Sequence, residues 1–426
     1  MRRTVSTLNA ATLQCAAIWC APRLASLARR AVMALAPAEG PNAPSKRTLL
    51  IDVSIIASHD AGTGIQRVVK SLALDLLESP PPGFEVRLVR ATRAQPYRYA
   101  SAWQASLTGS RVAKEDEHLR ISKGDIFLGL DLTSRILPRR QAELLQWRTQ
   151  GVRCAFIVYD LLPILHPEWF TPRARRSYRH WLSTLAVHAD ALFCISKSVS
   201  DEVRDCLNRR FGFAPNEIAT HWFHLGSAAP VDSSPRSAAK SIEPQIYSSG
   251  GAPTMLMVGT IEPRKGHAQV LDAFDRLWRD GFEGSLVIAG KPGWQIDSLA
   301  ERLTQHAEAG KRLFWLSDVD DDELGRLYTQ LDGLLMASEA EGFGLPLVEA
   351  ARYGMPIFAR DLPVFREIAG AHASFFTADN GSELAPQLST WLTKIQSGTA
   401  IASNAMNVQT WNASANQLRT LLTSLG

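Results

Sequence analysis

Short apolar runs alternate with longer helical patterns along residues 47–404, and the alternation occurs twice, on either side of a stretch with almost no apolar periodicity. Runs at 49–56, 84–92, 125–132, 154–160, 192–196 and 218–225 read as strands, and helical spacing falls at 65–78, 138–150, 172–189 and 197–210. Residues 227–253, rich in Ser, Ala, Pro and Gly, read as a linker. Beyond them, runs at 255–258, 286–289, 313–316, 334–337 and 357–359 repeat the pattern, with helices at 267–279, 322–331 and 345–353. A strand that is apolar throughout is buried on both faces, and strands alternating with helices achieve this in a parallel sheet covered by helices. The expectation is therefore α/β: two open, doubly wound parallel-sheet domains over 47–226 and 254–404, with a ligand cleft beyond the carboxyl ends of their strands. Residues 93–120 are polar and read as a long excursion, and 405–426 read as a C-terminal helix.

At 426 residues each domain is large enough to bury a core without disulfides or metal staples. The net charge of +4 is unevenly placed: residues 1–46 hold six basic groups against Glu39 alone, and the rest of the chain holds 40 basic against 41 acidic residues. A body of that balance lacks the electrostatic footprint of a nucleic-acid binder, so no nucleic-acid partner is expected. Five cysteines, odd in number and without CxxC spacing, suggest neither a disulfide framework nor a zinc site and fit a cytoplasmic protein. Residues 1–46 read as a basic leader or an amphipathic segment ending in a linker. Leu13, Cys20, Leu24, Leu27, Ala31 and Leu35 make one helical stripe with Arg23, Arg29 and Arg30 off it, which suits peripheral contact with an anionic membrane at its inner face. The alternative is a disordered start.

The most informative stretch runs from Ser338 to Ala350, SEAEGFGLPLVEA. A strand ends, a glycine-rich turn follows, and Pro346 sits where a helix begins. Gly342 and Gly344 let backbone approach a ligand, and exposed amides at the helix start favour a diphosphate. Glu341 and Glu349 flank that cradle and can accept hydroxyl protons from sugars on either side. Without further context the same residues describe a glycine-rich loop with two surface glutamates.

Two glutamates separated by the seven residues GFGLPLV resemble the signature of retaining glycosyltransferase family 4 of the bacterial surface-polysaccharide type. Its GT-B fold consists of two Rossmann-like domains facing a cleft. Val258–Gly266, VGTIEPRKG, is similar to the family's first C-terminal-domain strand and basic turn, where Arg264 and Lys265 would meet the donor diphosphate. Gly62–Val68, GTGIQRV, resembles an N-terminal glycine loop and adds Gly64 to the donor side. By the same resemblance, Gly342, Phe343, Gly344 and Leu345 form the phosphate turn, Val319 lies on the nucleobase side, Glu349 binds ribose hydroxyls, and Glu341 binds the transferred sugar.

Tyr159-Asp160 ends an apolar strand where many family members carry His-Asp, so imidazole catalysis is not implied; Asp160 could orient the acceptor or the sugar. Tyr159 and His166 are placed on the acceptor side. Asp318, Asp320, Asp321 and Asp322 precede a helix and read as its capping carboxylates rather than as a metal-binding Asp-x-Asp. No cofactor or metal is expected. The resemblance implies a retaining hexosyltransferase that moves a mannose-like sugar from a nucleotide-sugar, with GDP-mannose favoured, to a lipid-linked or polysaccharide acceptor in O-antigen or similar glycan synthesis. Asp160, Glu341, Arg264 and Lys265 would carry the chemistry. The rivals are a nucleotide-sugar 2-epimerase drawing on His59, His166 and His224, and a catalytically silent sugar-nucleotide-binding subunit.

Overall fold

A computed structural model describes residues 2–35, 46–110, 117–228, 246 and 251–425, with side chains from residue 7. The chain divides into two compact units, Met1–Leu225 with Trp411–Gly426, and Gly226–Thr410.

In the first unit, seven strands form one sheet: β1 Arg47–Asp52, β2 Phe84–Arg90, β3 Arg98–Tyr99, β4 Ile126–Gly129, β5 Arg153–Val158, β6 Ala191–Cys194 and β7 Ala219–Trp222. Their order is β3-β2-β1-β4-β5-β6-β7, parallel except for the antiparallel edge pair β2–β3. The interior strands are apolar because helices cover both faces: β4 and β6 are buried at every residue. The strand run read at 49–56 stops at Asp52, whose Oδ1 accepts from the Ser54 amide at 3.0 Å and turns the chain.

The second unit holds a six-stranded, wholly parallel sheet: β8 Thr254–Val258, β9 Ser285–Ala289, β10 Leu313–Leu316, β11 Gly333–Met336, β12 Ile357–Arg360 and β13 Ser374–Phe376. Its order, β10-β9-β8-β11-β12-β13, is the doubly wound one, in which the chain starts at the centre, runs to one edge and returns to build the other. The helix His267–Arg279 packs on Gly381–Gln396 over a core that includes Phe274, Leu388 and Trp391.

Three segments depart from the sequence reading. Residues 1–46 read as a leader outside the folded body, yet the helices Arg2–Trp19 and Ala25–Met33 pack into the first unit, burying Ala10, Ala17, Ile18, Ala25, Ala28 and Val32. Of the proposed membrane stripe, Leu13, Leu24, Ala31 and Leu35 pack against this core, while Cys20 and Leu27 stay exposed. Arg29 is buried, donating to Ala189 O at 2.6 Å and Glu217 O at 3.2 Å. Its charge answers carbonyl groups just ahead of β6 and β7, so counting it as a surface cation misreads the segment. The polar excursion 93–120 contains β3, the helix Ser101–Thr108 and the buried Tyr97.

The terminal segment splits at residue 410. The helix Trp411–Thr423 belongs to the first unit, where Arg419 pairs with Asp75 on the helix Gly64–Glu78 and donates to Ser79 O, just past that helix, at 2.6 Å. Of the linker read at 227–253, residues 229–245 and 247–250 lie outside the described residues. Ser227 is joined to the second unit through Gln409 O at 3.0 Å and Arg352 Nε at 2.9 Å.

Candidate functional site

In the second unit, the loops after β8 and β11 meet at the carboxyl edge of the sheet. The chain leaves β8 through Gly259, makes a single turn over Pro263–Lys265 and enters the helix His267–Arg279 through Gly266 at φ 72°. A Cβ on Gly266 would lie 2.4 Å from Ala337 O, so this turn docks on the end of β11 only with glycine there. The docking is sealed by the Glu339 amide donating to Arg264 O at 2.8 Å.

That junction brings together the two motifs the sequence separates. Arg264 Nη1 lies 3.1 Å from Glu341 Oε2, and Lys265 Nζ donates to Glu341 Oε1. Ser338 Oγ donates to the same oxygen at 2.8 Å. Arg264 also bonds Glu262 Oε2 at 2.9 Å and Ala340 O at 3.2 Å. Burial alone would push the Glu341 carboxyl up; Lys265 and Arg264 outweigh it and hold the group at about 2. Glu262 moves the other way, because burial there outweighs the same two cations. Glu341 is thus the anion that positions both basic side chains.

Gly344, at φ 99°, precedes the helix Leu345–Arg352, and a Cβ on it would approach the Phe365 ring to 2.8 Å. Phe343 is buried, so only backbone at that position can serve a ligand. Glu349 is buried inside the helix and accepts from Tyr328 Oη at 2.9 Å, with Tyr328 stacked on Tyr353. Val319 sits on the same sheet edge beyond β10, two strands from β8. Beside it, Asp320 caps the helix Asp321–Gln330, accepting from the Glu323 amide at 2.8 Å while Glu323 Oε2 accepts from the Asp320 amide at 3.2 Å. Among the described residues no group of three His, Cys, Asp or Glu side chains converges on a metal-sized site.

The remaining expected residues belong to the first unit. Gly64 opens the helix Gly64–Glu78 behind a Thr63–Gln66 capping box, and Gln66 ties the glycine loop through Ala61 N at 2.8 Å and His59 O at 2.6 Å. Asp160 follows β5 half-buried, with Oδ1 accepting from Leu162 N at 3.0 Å. His166 stacks on Trp169 at 4.1 Å and lies 3.3 Å from Glu168. Tyr159 does not face an acceptor: it is 4% exposed, and its hydroxyl donates to Leu130 O at 2.7 Å across the sheet edge. Residues alternate sides along an extended chain, and Asp160 takes the outward position, leaving Tyr159 inside.

Sequence reasoning missed Glu262, Ser338 and Tyr328, the groups that hold the named residues in place. Glu262 stands two positions before Arg264 and could have been noted as its counter-ion; nothing local marks Tyr328 as a partner of Glu349. It also missed a buried acid: Asp52 Oδ2 accepts from Tyr97 Oη at 2.7 Å and Thr133 Oγ1 at 3.3 Å, and burial raises its carboxyl to about 7.

The fold and this turn define a class. Residues 240–407 match the family model described as glycosyl transferases group 1, which spans nearly all of the second unit. The chain has the GT-B fold of its solved neighbours, and its second unit carries the match to that family, in line with the signature resemblance. It is 41% identical over 373 residues to the serotype-specific mannosyltransferase WbdA of Escherichia coli, an alignment covering 87% of this chain and 44% of that relative. It is 32% identical over 178 residues to the O-antigen chain mannosyltransferase B of Escherichia coli, covering 41% of this chain and 45% of the relative. The chain thus spans less than half the length of these relatives. Among solved structures it resembles Anabaena HepE in complex with UDP and glucose, at TM-score 0.62 and 15% identity over 89% of this chain and all of the other. It also resembles sucrose-phosphate synthase from Thermosynechococcus elongatus, at TM-score 0.58 and 15% identity over 89% of this chain and 99% of the other.

Proposed function

We propose that the chain is a retaining mannosyltransferase acting in O-antigen assembly, transferring mannose from GDP-mannose to a lipid-linked or polysaccharide acceptor. The observation that carries this reading is the pair Arg264 and Lys265, held by Glu341 beside the start of the helix Leu345–Arg352. Departure of a nucleoside diphosphate builds negative charge on phosphate oxygens and positive charge on the sugar's anomeric carbon. Two ordered cations and a helix start stabilise the first without reorganising during the reaction. The 41% identity to a mannosyltransferase supports mannose as the transferred sugar, with Glu341 near the sugar and Glu349 on the ribose. Arg264 and Lys265 make a metal ion unnecessary for the diphosphate. Asp160 orients the acceptor, with His166 on the same loop and Gly64 and Val319 at the donor's margins. Retention follows from attack on the face the leaving group vacates, the departing phosphate accepting the acceptor's proton.

Peripheral attachment to an anionic membrane at the cytoplasmic face is part of the reading. Leu8, Arg23, Leu27 and Arg30 remain exposed on the N-terminal helices and support it.

The test is incubation with a panel of nucleotide-sugars and a mannose-terminated acceptor, in excess EDTA and without it. GDP release from GDP-mannose alone, undiminished by EDTA, with an α-linked product by NMR, is expected. Absence of nucleoside diphosphate release from every donor would overturn the reading, and loss on chelation restored by Mg²⁺ would overturn its metal independence.

A further inference from the structure

Away from the turn at Arg264, the first unit carries a half-open cavity of about 500 Å³, a size typical of small-molecule sites. Arg93, Arg135, Arg139, Arg173 and Arg176 line it, and no aspartate or glutamate does. Guanidinium groups stay charged at any physiological pH, so five around one concavity raise a strong positive potential that its walls focus. These side chains are exposed, and among the described residues none of the five is in an ion pair or donates a side-chain hydrogen bond. By contrast, Arg140, Arg148, Arg264, Arg302 and Arg419 each meet a carboxylate.

The elements that bring them together are fixed by the fold. Arg93 follows β2, Arg135 and Arg139 follow β4, and Arg173 and Arg176 stand on the first turns of the 17-residue helix Pro172–His188. The start of that helix therefore opens on the cavity rim, where its dipole adds to the positive field, with the Ala174 amide capped by Thr171 Oγ1 at 3.3 Å. Trp19 and His180, edge to face at 4.6 Å, complete the wall. Trp19 ends the helix Arg2–Trp19, so the N-terminal segment contributes to the cavity.

We propose that this cavity is a binding site for a phosphoanion, a diphosphate or a phosphodiester-linked headgroup, separate from the donor turn in the second unit. Planar guanidinium forks match phosphate oxygens two at a time, and several forks around one concavity favour a compact, multiply charged anion. A nucleic acid duplex is too large for this volume. The inference goes beyond the proposed transferase activity and does not rest on it.

The test uses the full chain carrying Arg264→Ala and Lys265→Ala, which removes the other cationic site, titrated with inorganic pyrophosphate by calorimetry. Saturable binding is expected, weakened at least about tenfold by adding Arg135→Gln, Arg139→Gln, Arg173→Gln and Arg176→Gln, and partly by Arg176→Gln alone. Because these side chains are exposed, the melting temperature should not move. Phosphatidylcholine vesicles doped with farnesyl diphosphate identify the source. Capture that pyrophosphate competes away assigns a lipid diphosphate; pyrophosphate binding without capture assigns a free one. No pyrophosphate binding, binding unchanged in the four-arginine variant, or capture only by phosphatidylglycerol vesicles that pyrophosphate cannot compete would each overturn the site.

Discussion

Arg264 Nη1 lies 3.1 Å from Glu341 Oε2, joining the turn after β8 to the turn after β11. Lys265 binds the other carboxylate oxygen, so one anion fixes two cations in a pocket where their side chains are 14% exposed. If these cations hold the donor diphosphate, Arg264→Ala with Lys265→Ala removes two charge-assisted contacts, each worth about 1.5–3 kcal/mol. Turnover from GDP-mannose should fall by roughly two to four orders of magnitude. Steady-state assays of GDP release read this, and wild-type turnover in the double variant would refute the assignment.

Glu341 also ties stability to acidity. Its carboxyl is held below the ordinary value of 4.5, at about 2, so it stabilises the fold fully above pH 4.5 and loses that contribution as pH falls toward 2. The amount is on the order of 3 kcal/mol. Glu341→Gln should be less stable than wild type at pH 6, with the gap narrowing at pH 3.5. Urea unfolding at the two pH values measures it; a gap independent of pH would contradict the ion pairing.

Asp52 works in the opposite sense. Burial raises its carboxyl from 3.8 to about 7, so the folded state takes up a proton that the unfolded chain releases, and stability declines as pH rises between those values. Asp52→Asn should lessen the drop in melting temperature between pH 5 and pH 8, since the Tyr97 and Thr133 hydroxyls can turn to accept from the amide. An unaltered pH profile in the variant would show that Asp52 is ionised throughout.

Removing residues 2–35 should unfold or aggregate the first unit, because it strips Ile18, Val32 and four alanines from a shared core. A milder version is Arg29→Ala, which leaves Ala189 O and Glu217 O without their donor and should cost about 1.5–3 kcal/mol. Circular dichroism melts and limited proteolysis distinguish this from a dispensable leader, which would leave both unchanged.

Much of the architecture was legible because it is written in local periodicity. The doubled strand–helix alternation determined two parallel α/β sheets, since runs such as 286–289 and 334–337 are apolar enough to be buried on both faces. The glycine-rich turn before Pro346 and the helix-capping role of Asp320 were likewise local, set by backbone conformations and by hydrogen bonds three residues apart. Tertiary structure alone decided what lies far apart in sequence. Tyr159 is inside because Leu130 O awaits its hydroxyl, the N-terminal helices are core because the helix Pro172–His188 offers them an apolar face, and Trp411–Thr423 returns to the first unit because Asp75 receives Arg419. Five arginines converge on one cavity for the same reason: strand order, not spacing along the chain, makes neighbours of the loops after β2 and β4 and the start of a later helix. A local pattern specifies which face of an element seeks burial; which surface meets it is settled only when the sheet closes around all of its connections.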